Sequence, residues 1–279
     1  MAMTLTVPIS TLAIQVVLDV FTRTRFLGNP LAIVRLPASQ KTALPQESKQ
    51  KIAFELNLSE TMFLHKAAED AIAPASFTVN TGLSVQPLRW QCLEIIVAKA
   101  GPISVSLDAE SGLVSARISF DYHENQWRVA SPVAGTETAP VVSIVKGLAF
   151  VLAELRDLVT LGGVTEGLIQ DCVDPQSLDQ GWNGGLLGTK YYVDLGPDKQ
   201  GVRQPRTRIA SSALSCYLAL KGRKELGAGP FKYHTVQGVE LRRRNDIYVT
   251  VTRSEDGGSI EKILLQGEAV LVSEGKIFV

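Results

Sequence analysis

Among the side chains able to do chemistry, one carboxylate stands out by its position. Ser59-Glu60-Thr61 follows a stretch with helical spacing and precedes the apolar run Met62-Phe63-Leu64. A carboxylate at a helix-to-strand junction facing a cleft is placed to act as a general base. The plain alternative is a turn or cap acid. The other reactive residues do not assemble. Cys92, Cys172 and Cys216 stand far apart, as do His65, His123 and His234. With no CxxC pair, no HxxxH and no Cys/His cluster, they are read as packing or surface positions, and no metal site is expected. No GxGxxG follows the first strand, and neither a P-loop nor a GxSxG elbow occurs. Ser143-x-x-Lys146 matches an SxxK by spacing alone. Arg242-Arg243-Arg244, the only basic run, enters a strand through Asn245-Asp246 and is read as a solvated hairpin edge.

The elements that must position Glu60 can be read around it. Ile14–Asp19 is β-branched and apolar, Gly28-Asn29-Pro30 is a turn, and Leu31–Leu36 resumes a strand. Pro45 opens a predicted helix over Gln46–Leu56, which Asn57 ends. Beyond Lys66 the pattern loosens, and Leu88–Lys99 is ambiguous between helix and strand. Strands are predicted at Ile103–Leu107, Val114–Phe120 and Trp127–Ala130, and Ala134–Pro140 reads as a linker. Gly147–Leu155 is a continuous apolar run that periodicity alone leaves open. A strand at Tyr191–Asp194, a polar loop over Gly196–Pro205 and a buried helix over Ser211–Lys221 follow. Strands at Ile247–Thr252, Ile260–Leu265 and Ala269–Val272 complete the pattern, with a turn at Glu274-Gly275. The halves are similar in outline. That suggests an α+β fold of two lobes, 1–135 and 136–279, with a ligand in the cleft between them.

Composition bounds the function. A chain of 279 residues, 45% hydrophobic, can bury a large core without disulfides. Its 28 basic and 28 acidic residues cancel, against a nucleic-acid binder or a polybasic membrane anchor. Leu12–Phe21 is broken by Gln15 and Asp19, has no Lys or Arg before it, and falls short of the ~18 apolar residues of a spanning helix. A cytoplasmic location with reduced thiols is expected.

Three linked motifs carry a resemblance. Asp19-Val20-Phe21-Thr22, then Gly28-Asn29-Pro30, then a helix ending in Leu58-Ser59-Glu60-Thr61-Met62-Phe63 resemble the amino-terminal signature of the phenazine-biosynthesis PhzF-like proteins. Gln237-Gly238-Val239-Glu240 with Arg243-Arg244 resembles a further family element, and Gly267-Glu268-Ala269-Val270 resembles its Gly-x-Ala-Val strand. Lys99–Ile103 and Leu178–Gly185 look like fungal-type members. The resemblance implies the diaminopimelate-epimerase fold: two pseudosymmetric lobes, each a rolled β-sheet around a central helix. It implies cofactor-independent proton transfer with Glu60 as the catalytic residue. It also implies a substrate-side loop at Gly28 and Asn29, flanking roles for Ser59 and Thr61, and contributions from Ser211 and Ser212 at the start of the second central helix and from Gln237. A homodimer paired through sheet edges is a further expectation from the family.

The departures are as informative. The family's Gly-His-x-Thr segment is replaced by Phe77–Gly82 running into Leu83–Gln91. Its Glu-Asp-Pro-x-Thr-Gly-Ser-Ala segment is replaced by Arg206–Ile209 running into Ala210–Ala213. Cys92 and Cys216 do not match the positions of the epimerases' acid/base thiols. Two-base racemisation needs a proton carrier on each face of one carbon, and only Glu60 remains. Shortened loops should widen the cleft toward a larger, hydrophobic small-molecule substrate. Two functions follow: an isomerase or cyclase of secondary metabolism, working through one carboxylate or by holding a reactive conformer for a pericyclic closure such as a [4+2] cycloaddition, or a ligand-binding pseudoenzyme on the same scaffold.

Overall fold

A computed structural model describes residues 12–36, 44–58, 60–65, 77–83, 91–93, 105–108, 110–126, 128–131, 138–164, 178–207, 212–222 and 224–279. In chain order the elements begin with β1 (Leu12–Val20), β2 (Asn29–Leu36), α1 (Gln46–Leu56), β3 (Glu60–His65), β4 (Phe77–Leu83) and β5 (Gln91–Leu93). Next come β6 (Val105–Leu107), β7 (Val114–Arg117), β8 (His123–Glu124), β9 (Val129–Ala130), β10 (Thr138–Ala139), β11 (Val141–Val145), β12 (Leu148–Glu154) and α2 (Leu158–Gly162). The last are β13 (Leu186–Pro197), β14 (Arg203–Thr207), α3 (Ser212–Lys221), β15 (Phe231–Gln237), β16 (Asn245–Arg253), β17 (Ile260–Gly267) and β18 (Ala269–Phe278).

Two compact units form. The first comprises Met1–Val20, Asn29–Gly101 and Ala269–Val279; the second, Phe21–Gly28 and Pro102–Glu268. The expected boundary at 135/136 falls inside the second unit, and the chain's last strand joins the first.

The first unit carries a six-stranded sheet in the order β18-β1-β2-β3-β4-β5. The β2–β3 pair is parallel, which a short turn cannot connect, and α1 provides the crossover. Pro45 precedes the helix in an extended conformation. Asn57, at φ 49°, closes it in the left-handed region, its N–H donating to the Ala53 carbonyl at 3.2 Å. One face of the sheet buries Ala13, Val34, Leu36 and Phe63 against Ile52 and Leu56 of α1. The chain past Asn57 therefore enters β3 in a fixed register.

The second unit carries a ten-stranded sheet, β6-β7-β17-β16-β15-β14-β13-β12-β11-β8, and the β9–β10 ladder. The central strand β16 alternates buried and half-buried residues through all nine positions, Asn245–Arg253. Its inward residues Ile247, Val249 and Val251 pack with Ala213, Leu214, Cys216, Leu218 and Ala219 of α3. α3 is apolar around most of its circumference because sheet strands lie around it, packing on β11, β16 and β17. This is the expected central helix in a rolled sheet. The counterpart expected from Leu83 onward falls largely on 84–90 and 94–104, outside the described residues; Gln91–Leu93 is strand.

Several expectations change. The ambiguous run Gly147–Leu155 is strand β12, parallel to β13. The polar loop over Gly196–Pro205 is a β-hairpin, because Asp198 Oδ1 accepts the N–H groups of Gln200 and Val202 and closes a turn between β13 and β14. The turn at Glu274-Gly275 does not form. Both residues continue β18, Gly275 paired with Gln15, since the long partner β1 satisfies the backbone through that point. The loosened segment after Lys66 contains strand β4, paired with β3. Of the proposed linker, residues 134–137 lie outside the described residues, and Thr138–Ala139 forms β10. No helix among the described residues is long and apolar enough to cross a membrane.

Candidate active site

Glu60 opens β3, with Leu31 as its parallel partner, while Thr61 pairs with Ala32. Successive side chains in a strand point to opposite faces. Thr61, Phe63, Ala32 and Val34 all lie on the buried face, and Thr61 is only 1% exposed. Glu60, Met62, Leu31 and Ile33 occupy the half-buried face. Asn29, two residues before Leu31 on β2, lies on Glu60's side. The structure thus places Asn29 and Glu60 on one face and turns Thr61 away from both.

Burial pushes the Glu60 carboxyl above the usual carboxylate range, and among the described residues no cation or hydrogen-bond donor offsets it. The shift is in the direction that a proton-transferring carboxylate needs.

Gly28 lies in the second unit and has a structural task. At φ 70° it adopts the left-handed conformation that suits glycine. Its N–H donates to the Arg244 carbonyl at 3.0 Å, and its own carbonyl accepts from Arg243 Nε at 2.9 Å. Ser212 is the first residue of α3 and half-buried. Gln237 ends β15, between Asn245 of β16 and Thr207 of β14. Ser59 and Ser211 lie outside the described residues. Cys216 is a core thiol that burial pushes up to about 12, so it is no acid/base partner.

Two of the histidines sit in polar pairs with aromatic stacking. His123 Nε2 lies 2.8 Å from Asp179 Oδ2, its ring stacked on Trp182. His234 Nε2 lies 2.7 Å from Asp246 Oδ1, its ring stacked on Tyr248 at 4.6 Å between centroids. The second dyad borders a cavity of about 550 Å³ with Arg23, Arg244 and Glu268. Arg244 belongs to the basic run read as a solvated edge. It is half-exposed, but its guanidinium is committed to Asp246 through Nε at 2.9 Å and Nη2 at 2.7 Å. A signal for this cluster exists in the sequence. If Gly238–Arg244 is a hairpin turn, period-two alternation puts His234, Asp246 and Tyr248 on one face.

Residues 18–75 match the family model described as phenazine biosynthesis-like protein. An uncharacterized isomerase of Pasteurella multocida is 25% identical over 94% of this chain and 92% of its own length. A Bacillus anthracis phenazine biosynthesis protein of the PhzF family shares the fold at TM-score 0.63 and 18% identity, covering 96% of this chain and all of that one. A probable proline racemase of Agrobacterium radiobacter superposes at TM-score 0.51 and 11% identity over 96% of this chain and 93% of its own. The fold class is therefore the α+β epimerase type. The three amino-terminal motifs that carry the resemblance to PhzF-like proteins all lie within the matched residues 18–75.

Proposed function

We propose that the chain is a cofactor-independent isomerase or cyclase of secondary-metabolite biosynthesis, with Glu60 moving a proton on a hydrophobic small molecule. The observation that carries this reading is the Glu60 carboxyl: half-buried at the head of β3, raised by desolvation and without a cation among the described residues. A carboxylate of this kind removes a proton from carbon and returns it elsewhere on the same skeleton, which shifts a double bond. It serves equally as an acceptor that polarises a substrate held for pericyclic closure. Asn29, on the same sheet face, is positioned to hold the substrate's polar end.

The test is incubation of the parent and Glu60→Gln with a panel of small polyenes and enones in D₂O, followed by NMR. Proton transfer predicts deuterium in the product and a rate loss of roughly 10²–10⁴-fold in the variant. Ring closure without deuterium, at a rate within a few-fold of the parent, overturns the general-base role and retains the conformational one. The second reading, a ligand-binding pseudoenzyme, is motivated by the replaced Gly-His-x-Thr and Asp-Pro-x-Thr-Gly segments. Turnover of any panel member removes it.

A further inference from the structure

We propose that the cavity beside His234, Asp246 and Tyr248 is a second ligand site, built for a small monocarboxylate that also carries an O–H or N–H donor. It does not depend on the role of Glu60, because every residue lining it belongs to the second unit. Its volume of about 550 Å³ suits a small molecule.

The polar groups are fixed before any ligand arrives. Asp246 Oδ1 accepts, so in the neutral imidazole His234 Nε2 carries the proton and the other ring nitrogen, Nδ1, is an acceptor. That nitrogen has no protein partner among the described residues. The stack on Tyr248, with planes 14° apart, holds the ring in place. Arg244 spends Nε and Nη2 on Asp246. Arg23 spends Nε on Glu268 at 2.5 Å and Nη2 on the Ser111 carbonyl at 3.0 Å. In both guanidiniums Nη1 makes no hydrogen bond to a described residue, although the side chains are 71% and 50% exposed and can reach a ligand. The Tyr248 hydroxyl, close to all four of these charged groups, adds a donor.

The wall is likewise preformed. Phe21 N–H donates to the Glu268 carbonyl at 2.6 Å, and Asp246 N–H donates to the Phe21 carbonyl at 2.8 Å. These bonds stitch the 21–28 segment to the sheet, so little ordering remains to oppose binding. Phe21 and Leu27 supply the apolar side.

Charge arithmetic selects the ligand. Arg23 and Arg244 are offset by Asp246 and Glu268. A polyanion would meet those carboxylates without an excess of cations. A planar monocarboxylate fits the unused guanidinium N–H groups and the phenol, while His234 Nδ1 takes the ligand's own donor.

The test uses the full chain and isothermal titration with mandelate, lactate and salicylate, and with phenyl phosphate as the dianionic control. Saturable binding of a hydroxycarboxylate, with phenyl phosphate weaker by about tenfold or more, is expected. Arg244→Gln, His234→Asn and Tyr248→Phe should each weaken it roughly ten- to hundred-fold. Tyr248→Phe changes one hydroxyl and serves if the other variants misfold. Glu60→Gln should bind the probe as the parent does. The proposal is overturned if no hydroxycarboxylate saturates below about 10 mM, if phenyl phosphate binds as well, or if Tyr248→Phe binds unchanged. It is also overturned if Glu60→Gln abolishes binding, since the ligand would then belong to the site of Glu60.

Discussion

Glu60 stands opposite Leu31 in the parallel pairing of β2 and β3, on the same sheet face as Asn29, while Thr61 points into the core. The register follows from α1, whose end at Asn57 sets where β3 begins. A one-residue slip would bury the carboxylate and expose Thr61, because the side-chain period is two. Glu60 and Thr61 are thus split by the strand into a face residue and a core residue.

This placement costs stability, and Glu60→Gln should reveal it. Burial raises the folded-state pKa of the carboxyl. The folded chain then holds its proton to higher pH than the unfolded chain does. Stability falls as pH rises from the ordinary Glu value of ~4.3 through the folded value, and stays lower above it. Glutamine has no charge to desolvate. The variant should match the parent's melting temperature near pH 4 and exceed it by about 2–4 °C at pH 8, while catalysis is lost. Equal melting curves at pH 8 would show that the carboxylate is compensated in the fold.

Thr61→Val tests the other side of the strand. The Thr61 hydroxyl is buried and has no hydrogen-bond partner among the described residues. Replacing it with a methyl of similar shape removes a desolvation penalty while keeping the volume against Phe63 and Ala32. A gain of about 1 kcal/mol in urea unfolding is expected. A loss would mean that the hydroxyl does form a bond in the folded protein.

The amino-terminal elements were legible because local signals agreed there: a β-branched run, a Gly-Asn-Pro turn, a proline at the helix start and an asparagine at its end. Helix α3 was legible from its dense apolar coverage. The 198–202 turn was missed because its closure depends on the Asp198 side chain rather than on a Gly-Asn pair. The continuation of β18 through Gly275 was missed because its cause is the length of β1, more than 250 residues earlier. Glu60 was found by motif and by position. The His234–Asp246 pair was missed because it is diagonal across a hairpin: His234 is in register with Tyr248, and Asp246 with Val236. His234 and Asp246 are brought together by strand register, which a count of residues between them does not display.

Arg253 should be among the most costly residues to truncate. It is 0% exposed, and its Nη1 donates to the carbonyls of Ala219 at 2.9 Å and Gly222 at 3.2 Å, at the end of α3. Nη2 donates to the Gly227 carbonyl at 2.6 Å, and the guanidinium lies 4.4 Å from the centre of the Phe231 ring. One side chain thereby satisfies helix-terminal carbonyls and fastens the following turn to β16. Arg253→Met should lower the urea-unfolding free energy by about 3 kcal/mol or more. Arg253→Lys should recover only part of it, because an ammonium lacks the fork that reaches both carbonyl groups. A loss under about 1 kcal/mol in the Met variant would remove this role.

Asp246 should make the second unit acid-sensitive. Burial pushes its carboxyl up, but hydrogen bonds from Arg244 and His234 and the charge of Arg244 outweigh it and hold the group below the usual Asp range. Facing it are His234 from β15, and Arg244 and Tyr248 from its own chain segment; Arg23 and Glu268 border the same cavity. A lowered folded-state pKa contributes stability at pH above the unfolded value of ~3.9, and that stability is lost as pH falls through the folded value. Asp246→Asn should therefore melt about 2–4 °C below the parent at pH 7, less in high salt because the pair is partly exposed. The gap should narrow as pH falls below the unfolded value and close once it has passed the folded value, where the parent carboxylate is also neutral. A difference that stayed constant from pH 7 to pH 3 would assign the loss to packing rather than to the charge.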